Sequence, residues 1–332
     1  MSARAAAPDF ATLTVEQKGA VLIARHSSPP HHFVTTAFVK DLDELTRAVD
    51  ADDSVRAVVL TGSEQAFFLT HADPGELGGA MTAPLPPVAP RLLRPGWRAT
   101  RTLMRLPGAL RLTESVNNPV LQALAWGYRW RQTILRMNNS STVYLAAING
   151  TTTGGGHEIA LACDLRFVSD ASDLRLGQIE ILAGLIPGGG GTQRLPRMLG
   201  TARALEHMLE GAPITAQQAF ELGLVNAIVP DTDLLNHTCH TAARLARRSP
   251  AAVRAIKQLT YFATSERFED ALDAEMANFV KAGTQPGMKD ALAAFASDLA
   301  ESGHSPLASA DLRWVEGNRI QLQAHPNTGG TR

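Results

Sequence analysis

"NGTTTGGGHEIALACD", residues 149–164, is the stretch on which the reading of this chain turns. Three glycines, Gly154 to Gly156, stand between an apolar run and a helix-patterned segment whose first turn carries Glu158. A glycine triplet placed there lets bare backbone N–H groups approach a ligand, because no side chain intervenes. The helix behind it adds the positive end of its dipole at the same spot. Such a place stabilises negative charge. It is neither of the two common phosphate patterns, since no G-x-G-x-x-G follows the first strand and no G-K-[ST] closes the run. Taken alone, Glu158 has two readings: a proton-handling acid, or a first-turn glutamate that satisfies the helix N-terminus.

A second stretch, "LGQIEILAGLIPGGGGTQRLPRMLG" at 176–200, carries another acid, Glu180, and then four glycines, 188–191, leading into Thr192 and a further helix. Two carboxyl groups beside an anion-stabilising backbone are what acid-base chemistry on an activated carbonyl requires. Glu180 alone could equally be a solvated loop acid.

Around these two stretches the front two thirds of the chain alternate strand and helix. Apolar, β-branched runs at 20–25, 55–62, 143–150 and 165–169, bounded by polar or glycine-containing turns, predict strands. Between the first two, Phe38, Leu42, Leu45 and Val49 recur at three- and four-residue intervals and predict an amphipathic helix. Later helices are expected at "TARALEHMLEG", "TAQQAFELG" and "TDLLNHTCHTAARLARR", each opening on a threonine that suits an N-cap. From there to about residue 300 the pattern is nearly all helical.

Two regions depart from the alternation. Residues 79–140 begin with five prolines in the twelve positions from Pro84 to Pro95, which argues against regular structure there. From Arg91 to Arg136 the same region holds nine arginines against one acid, Glu114. These arginines are either a basic lip for phosphates or an acidic partner, or the solvated face of an added helical cap. The second region is the polar tail from 301 to 332, expected to be disordered.

Composition narrows the class. With 332 residues, 45% hydrophobic and 19% charged, the chain can bury one large core with appendages. A net charge of −1 gives no long-range pull toward nucleic acid or an anionic membrane. Cys163 and Cys239 are far apart, without metal-ligand spacing, and read as reduced thiols. The N-terminus lacks a signal-peptide pattern, and no apolar run reaches about 18 residues. The expectation is a soluble cytoplasmic protein with no membrane and no nucleic-acid partner.

The two glycine-bearing stretches, followed by "LEGAPITAQQAFELGLVNAIVP", closely resemble the enoyl-CoA hydratase/isomerase family, the crotonases. The likeness covers roughly 13–78 and 140–295. It implies an α/β fold, the crotonase-like spiral of β-β-α units with a C-terminal helical oligomerisation region. The core would span 1–230, with the 79–140 insertion inside it, the helical region 231–300, and the tail 301–332. In this family two backbone N–H groups polarise a thioester carbonyl, and the matching donors are Gly155 and Ala72. Two glutamates, matching Glu158 and Glu180, hold and deprotonate a water and deliver a proton at the neighbouring carbon. The resemblance also places His71, Asp73, Gly154, Gly156, Pro187 and Gly188 against the substrate.

Retention of both glutamates favours hydration of a trans-2-enoyl-CoA to the 3-hydroxyacyl-CoA, since many relatives that isomerise or hydrolyse have replaced one. Other crotonase reactions, and a non-catalytic binding shell, stand as alternatives. Beyond the acyl-CoA itself no cofactor and no metal are implied, and assembly as a homotrimer or homohexamer is. Departures are His71 where relatives have glycine, an oxyanion loop one residue longer, and a last helix with only Lys289 where relatives are lysine-rich. The CoA phosphates are therefore expected to meet arginines of the 91–136 segment, Arg98 and Arg101 among them. Its tryptophans, Trp97, Trp126 and Trp130, either remodel the acyl pocket or form that segment's own small core. His157, about 100° round the helix from Glu158, is assigned no chemistry.

Overall fold

The computed structural model describes residues 9–81, 89–262, 265–285, 287–308 and 311–320. The expected prolines at 84–87 and the terminal "PNTGGTR" lie outside them. Strands β1 (Leu13–Lys18) and β2 (Val21–His26) form an antiparallel hairpin, and helix α1 (Thr36–Ala51) leads to β3 (Ala57–Gly62). Strand β4 (Ala66–Leu69) is followed by helices α2 (Pro74–Met81), α3 (Pro90–Leu103), α4 (Ala109–Ser115) and α5 (Pro119–Asn139). Next come β5 (Val143–Ile148), β6 (Gly150–Thr153), α6 (Gly155–Ala162), β7 (Leu165–Ser169) and β8 (Arg175–Gly177). Helices α7 (Gly191–Leu199) and α8 (Thr201–Glu210) precede β9 (Ile214–Thr215), α9 (Ala216–Glu221) and β10 (Ala227–Val229). The chain then stays helical through α10 (Leu234–Leu245), α11 (Pro250–Phe262), α12 (Phe268–Gly283), α13 (Met288–Ser302) and α14 (Leu312–Val315).

Strands pair into two sheets, β1-β2-β3-β5-β7-β10 and β4-β6-β8-β9. The successive pairs β3/β4, β5/β6 and β7/β8 each send one strand to each sheet, which is the expected β-β-α spiral. Strand β5 and the first four residues of β3 are continuously apolar because both faces are covered. Val58, Leu60, Tyr144, Ala146 and Ile148 face one core with α1, α5 and α6, while Ala57, Val59, Val143, Leu145 and Ala147 face a second core with α10. All four predicted residues of α1 are buried, and Thr35 caps that helix by accepting from Phe38 N at 3.1 Å.

Three expectations need correction. Of the three threonine caps only Thr215 holds, closing a capping box with Gln218. The cap of α8 is Gly200, and a 3₁₀ turn over Asp231–Asp233 leads into α10. The proline-rich stretch is helical from Pro90, where the missing N–H costs nothing at N1, and α3 tolerates Pro95 inside it. Residues 311–320 of the tail are folded: Asp298 on α13 accepts from Trp314 Nε1 at 2.8 Å and from Arg319 at 2.9 to 3.1 Å.

The Arg-rich region is joined to the core rather than draped over it. Trp130, Ile134 and Met137 of α5 belong to the main core. Arg129 and Arg136 of α5 both reach the buried Asp43 of α1, at 2.7 and 3.0 Å. Arg129 also holds Glu114 of α4 at 2.5 Å, which ties that helix to α5.

Candidate functional site

The glycine run is a turn pressed against the loop after β4. Gly154, at φ 52°, precedes α6 in a conformation that side chains rarely adopt, and its N–H donates to Gly177 O at 2.8 Å. Gly156 N donates to Thr70 O at 3.0 Å, and a Cβ there would meet Leu69 O at 1.9 Å. The place of Gly156 is therefore close backbone packing, with its N–H committed to the fold and not to a substrate. Between these two, Gly155 N–H has no hydrogen-bond partner among the described residues.

The facing loop is built the same way. Val34 and Ala72 form a parallel bridge in which Val34 N donates to His71 O at 3.0 Å and Asp73 N donates to Val34 O at 3.1 Å. That pattern turns Ala72 N–H away from the bridge, and it too lacks a partner among the described residues. The two turns touch, since a Cβ on Gly154 would lie 2.9 Å from His71 Cβ. His71 is half-buried, its ring tilted on Phe33 at 4.8 Å and its Nδ1 2.9 Å from Ala72 O. Its ring thus braces the loop. Asp73 Oδ1 accepts from Gly75 N at 2.7 Å and caps the start of α2, while its residue still lines the neighbouring cavity.

Glu158 is 2% exposed. One oxygen, Oε1, accepts from Gly189 N at 2.6 Å and Gly191 N at 2.7 Å, so the second glycine run exists in part to hold this carboxyl. Gly188 lines the cavity beside it, and Pro187 packs at Gly191. Burial pushes the Glu158 pKa up to about 7, against the two backbone donors and with the added repulsion of Glu180. Glu180 opens a 3₁₀ turn, Glu180–Ala183, and is half-buried with its carboxyl on the Gly154 side. Burial raises its pKa as well.

The motifs gave no notice of the contact behind Glu180. Gln178 is buried, and with its amide turned to satisfy both neighbours Nε2 donates to the two Glu180 oxygens at 3.0 and 3.2 Å. Its Oε1 then accepts from His157 Nδ1 at 3.1 Å. Burial holds the His157 pKa down at about 3, so the ring is neutral and can carry that Nδ1 proton. His157 thus positions a site residue through Gln178.

A cavity of about 490 Å³ opens at Ala72, lined also by Val34, Asp73 and Trp126. Its basic lining groups are Lys40 and Arg129; Arg98 and Arg101 do not line it. Of the inserted tryptophans, Trp97 packs in a small cluster with Met104, Ala125 and Tyr128, whereas Trp130 reaches the site. Among the described residues no group of three or more His, Cys, Asp or Glu could hold a metal. None of their helices is long and apolar enough to cross a membrane.

Two linked sheets wound from β-β-α units, with unpaired amides on abutting turns and two acids beside them, define a crotonase-type site. The family model described as enoyl-CoA hydratase/isomerase matches residues 112–301. A probable enoyl-CoA hydratase of Bacillus subtilis is 30% identical over 285 residues, 86% of this chain and 94% of that one. A fatty acid oxidation complex subunit alpha of Shewanella frigidimarina is 49% identical over 114 residues, 34% of this chain and only 16% of that protein's length. The crystal structure of an enoyl-CoA hydratase from Bacillus anthracis superposes with a TM-score of 0.67 at 26% identity, covering 86% of this chain and 96% of that one. The chain belongs to the enoyl-CoA hydratase/isomerase family and has the crotonase fold.

Proposed function

We propose that this chain is an enoyl-CoA hydratase, adding water reversibly to a trans-2-enoyl-CoA to give a 3-hydroxyacyl-CoA. The thioester oxygen accepts from Ala72 N–H and Gly155 N–H, and a water lies between Glu158 and Glu180. One carboxylate removes a water proton as the oxygen bonds to C3, the double-bond electrons move onto C2 and the carbonyl oxygen, and the other carboxyl protonates C2. The electron sink is the thioester enolate, held by two fixed donors that can contribute roughly 3 to 4 kcal/mol each. No step calls for a metal or a redox cofactor. The reading extends to a cytoplasmic homotrimer or homohexamer.

The observation that carries this reading is the pair of acids, both retained and both raised by burial. Burial that pushes Glu158 up to about 7 lets it hold or give up a proton close to neutrality, and addition of water across a double bond needs one carboxyl to take a proton and one to deliver it. On mixing with crotonyl-CoA, the absorbance of the conjugated enoyl thioester should fall. Glu158→Gln and Glu180→Gln should each abolish that fall; activity surviving in either would point to an isomerase-like proton route instead.

A further inference from the structure

We propose that Trp130 limits the acyl group to a short chain, by closing the path a few carbons beyond the reacting double bond. This rests on the enoyl-CoA reading above. The indole comes from α5, is 3% exposed, and is stacked on Trp126 at 5.3 Å with 12° between the planes. A Cβ built on Gly155 would lie 3.7 Å from Trp130 Cη2 and 3.8 Å from Cζ2, so the benzenoid edge covers the oxyanion residue. A Cβ built on Gly189 would lie 2.5 Å from Trp130 Nε1 and 2.6 Å from Glu158 Oε2, so the pyrrole edge and the Glu158 carboxyl both crowd Gly189. The ring therefore lies against both Gly155, which supplies a carbonyl-binding amide, and Gly189, which holds the Glu158 carboxyl.

The two stacked indoles also stand between two spaces. Trp126 lines the cavity at Ala72, where the thioester is held. Trp130 lines a second cavity of about 350 Å³, with Ile134, Leu135, Tyr261, Phe262 and Gly189. Arg131, Arg194 and Arg197 line its rim as well, but most of its exposed wall is apolar and suits an alkyl chain, and the indole stands across the way to it. A chain bound at Ala72 and Gly155 with C3 at the acids meets Trp130 before it can enter. Removing the ring joins the two spaces, and each methylene then buried is worth about fourfold in affinity.

The test compares wild type with Trp130→Ala and the milder Trp130→Leu and Trp130→Phe. Hydration is measured over trans-2-enoyl-CoAs of four to ten carbons, and calorimetry measures binding of the saturated acyl-CoAs of the same lengths. Wild type should favour four carbons. Trp130→Ala, or Trp130→Leu if the alanine variant does not fold, should raise the ten-to-four-carbon ratio at least tenfold in both series, with Trp130→Phe between. Ratios unchanged in folded variants, or a wild type indifferent to length, would overturn the gate. A length preference that shifts in binding while no variant, nor wild type, turns over would leave the gate standing and sink the hydratase reading. Failure of wild type to bind any acyl-CoA would sink both.

Discussion

Burial and two backbone donors pull the Glu158 carboxyl in opposite directions, and burial wins. The group titrates near 7 in the fold against an ordinary value of 4.5. A carboxyl raised by folding favours the folded state fully below about pH 4.5 and loses that contribution as pH rises through 7. The shift corresponds to about 3 kcal/mol withheld at alkaline pH. Glu158→Gln keeps the acceptor for Gly189 and Gly191 and removes the charge. Urea unfolding should find it more stable than wild type by about 2 to 3 kcal/mol at pH 8, with the gain shrinking to nothing near pH 4.5; equal differences at the two pH values would contradict this. At this scale the motifs made Gly155, Glu158 and Glu180 legible, because glycine runs and acids at fixed places are sequence-local features. Gln178 was not. The rotation that points His157 away from Glu158 aims it at Gln178, and only the bend after β8 swings Gln178 onto Glu180.

Helix α5 connects the Arg-rich region to the site, and its attachment is electrostatic as well as apolar. Asp43 is buried on α1, and although burial would raise its pKa, Arg47 and Arg136 outweigh that and hold it below the usual carboxylate range. A lowered carboxyl supports the fold above the ordinary range near pH 4 and loses that support as pH falls through the lowered value. Asp43→Ala leaves Arg129 and Arg136 without this partner and should cost about 3 kcal/mol or more. The same variant should loosen α5 and the Trp126–Trp130 stack, read as a red-shifted tryptophan emission before global unfolding. An unshifted spectrum and an unchanged urea midpoint would show that the ion pairs do not hold the helix. The spacing of Trp126, Trp130, Ile134 and Met137 is a helical core stripe, hidden inside a region whose prolines and arginines dominate its composition. The counter-charge for those arginines lies 86 and 93 positions away, beyond any local pattern. Strands β6, β8 and β9, two to four residues long, fall below the length at which a period of two can be recognised.

Over the whole molecule, apolar surface is left that no other described residue covers. Helix α12 has no buried residue, and Phe268, Leu272, Met276, Phe279 and Val280 recur along one stripe of it, with Phe268 79% and Phe279 74% exposed. Leu182 and Ile186, at 71% and 75%, stand on the loop that links Glu180 to the glycines holding Glu158. Apolar side chains gathered in this way on a water-facing surface mark an interface, and a second copy of the chain supplies an equally apolar face. Light scattering should report a trimer or a hexamer, and the melting temperature should rise with protein concentration, since association stabilises only the folded chain. Phe279→Glu should drive the assembly toward monomer. Ile186→Glu should do so with a larger loss of the proposed hydratase activity, because its loop also places both acids. A wild type that is monomeric, with a melting temperature independent of concentration, would leave these faces without the partner assigned to them.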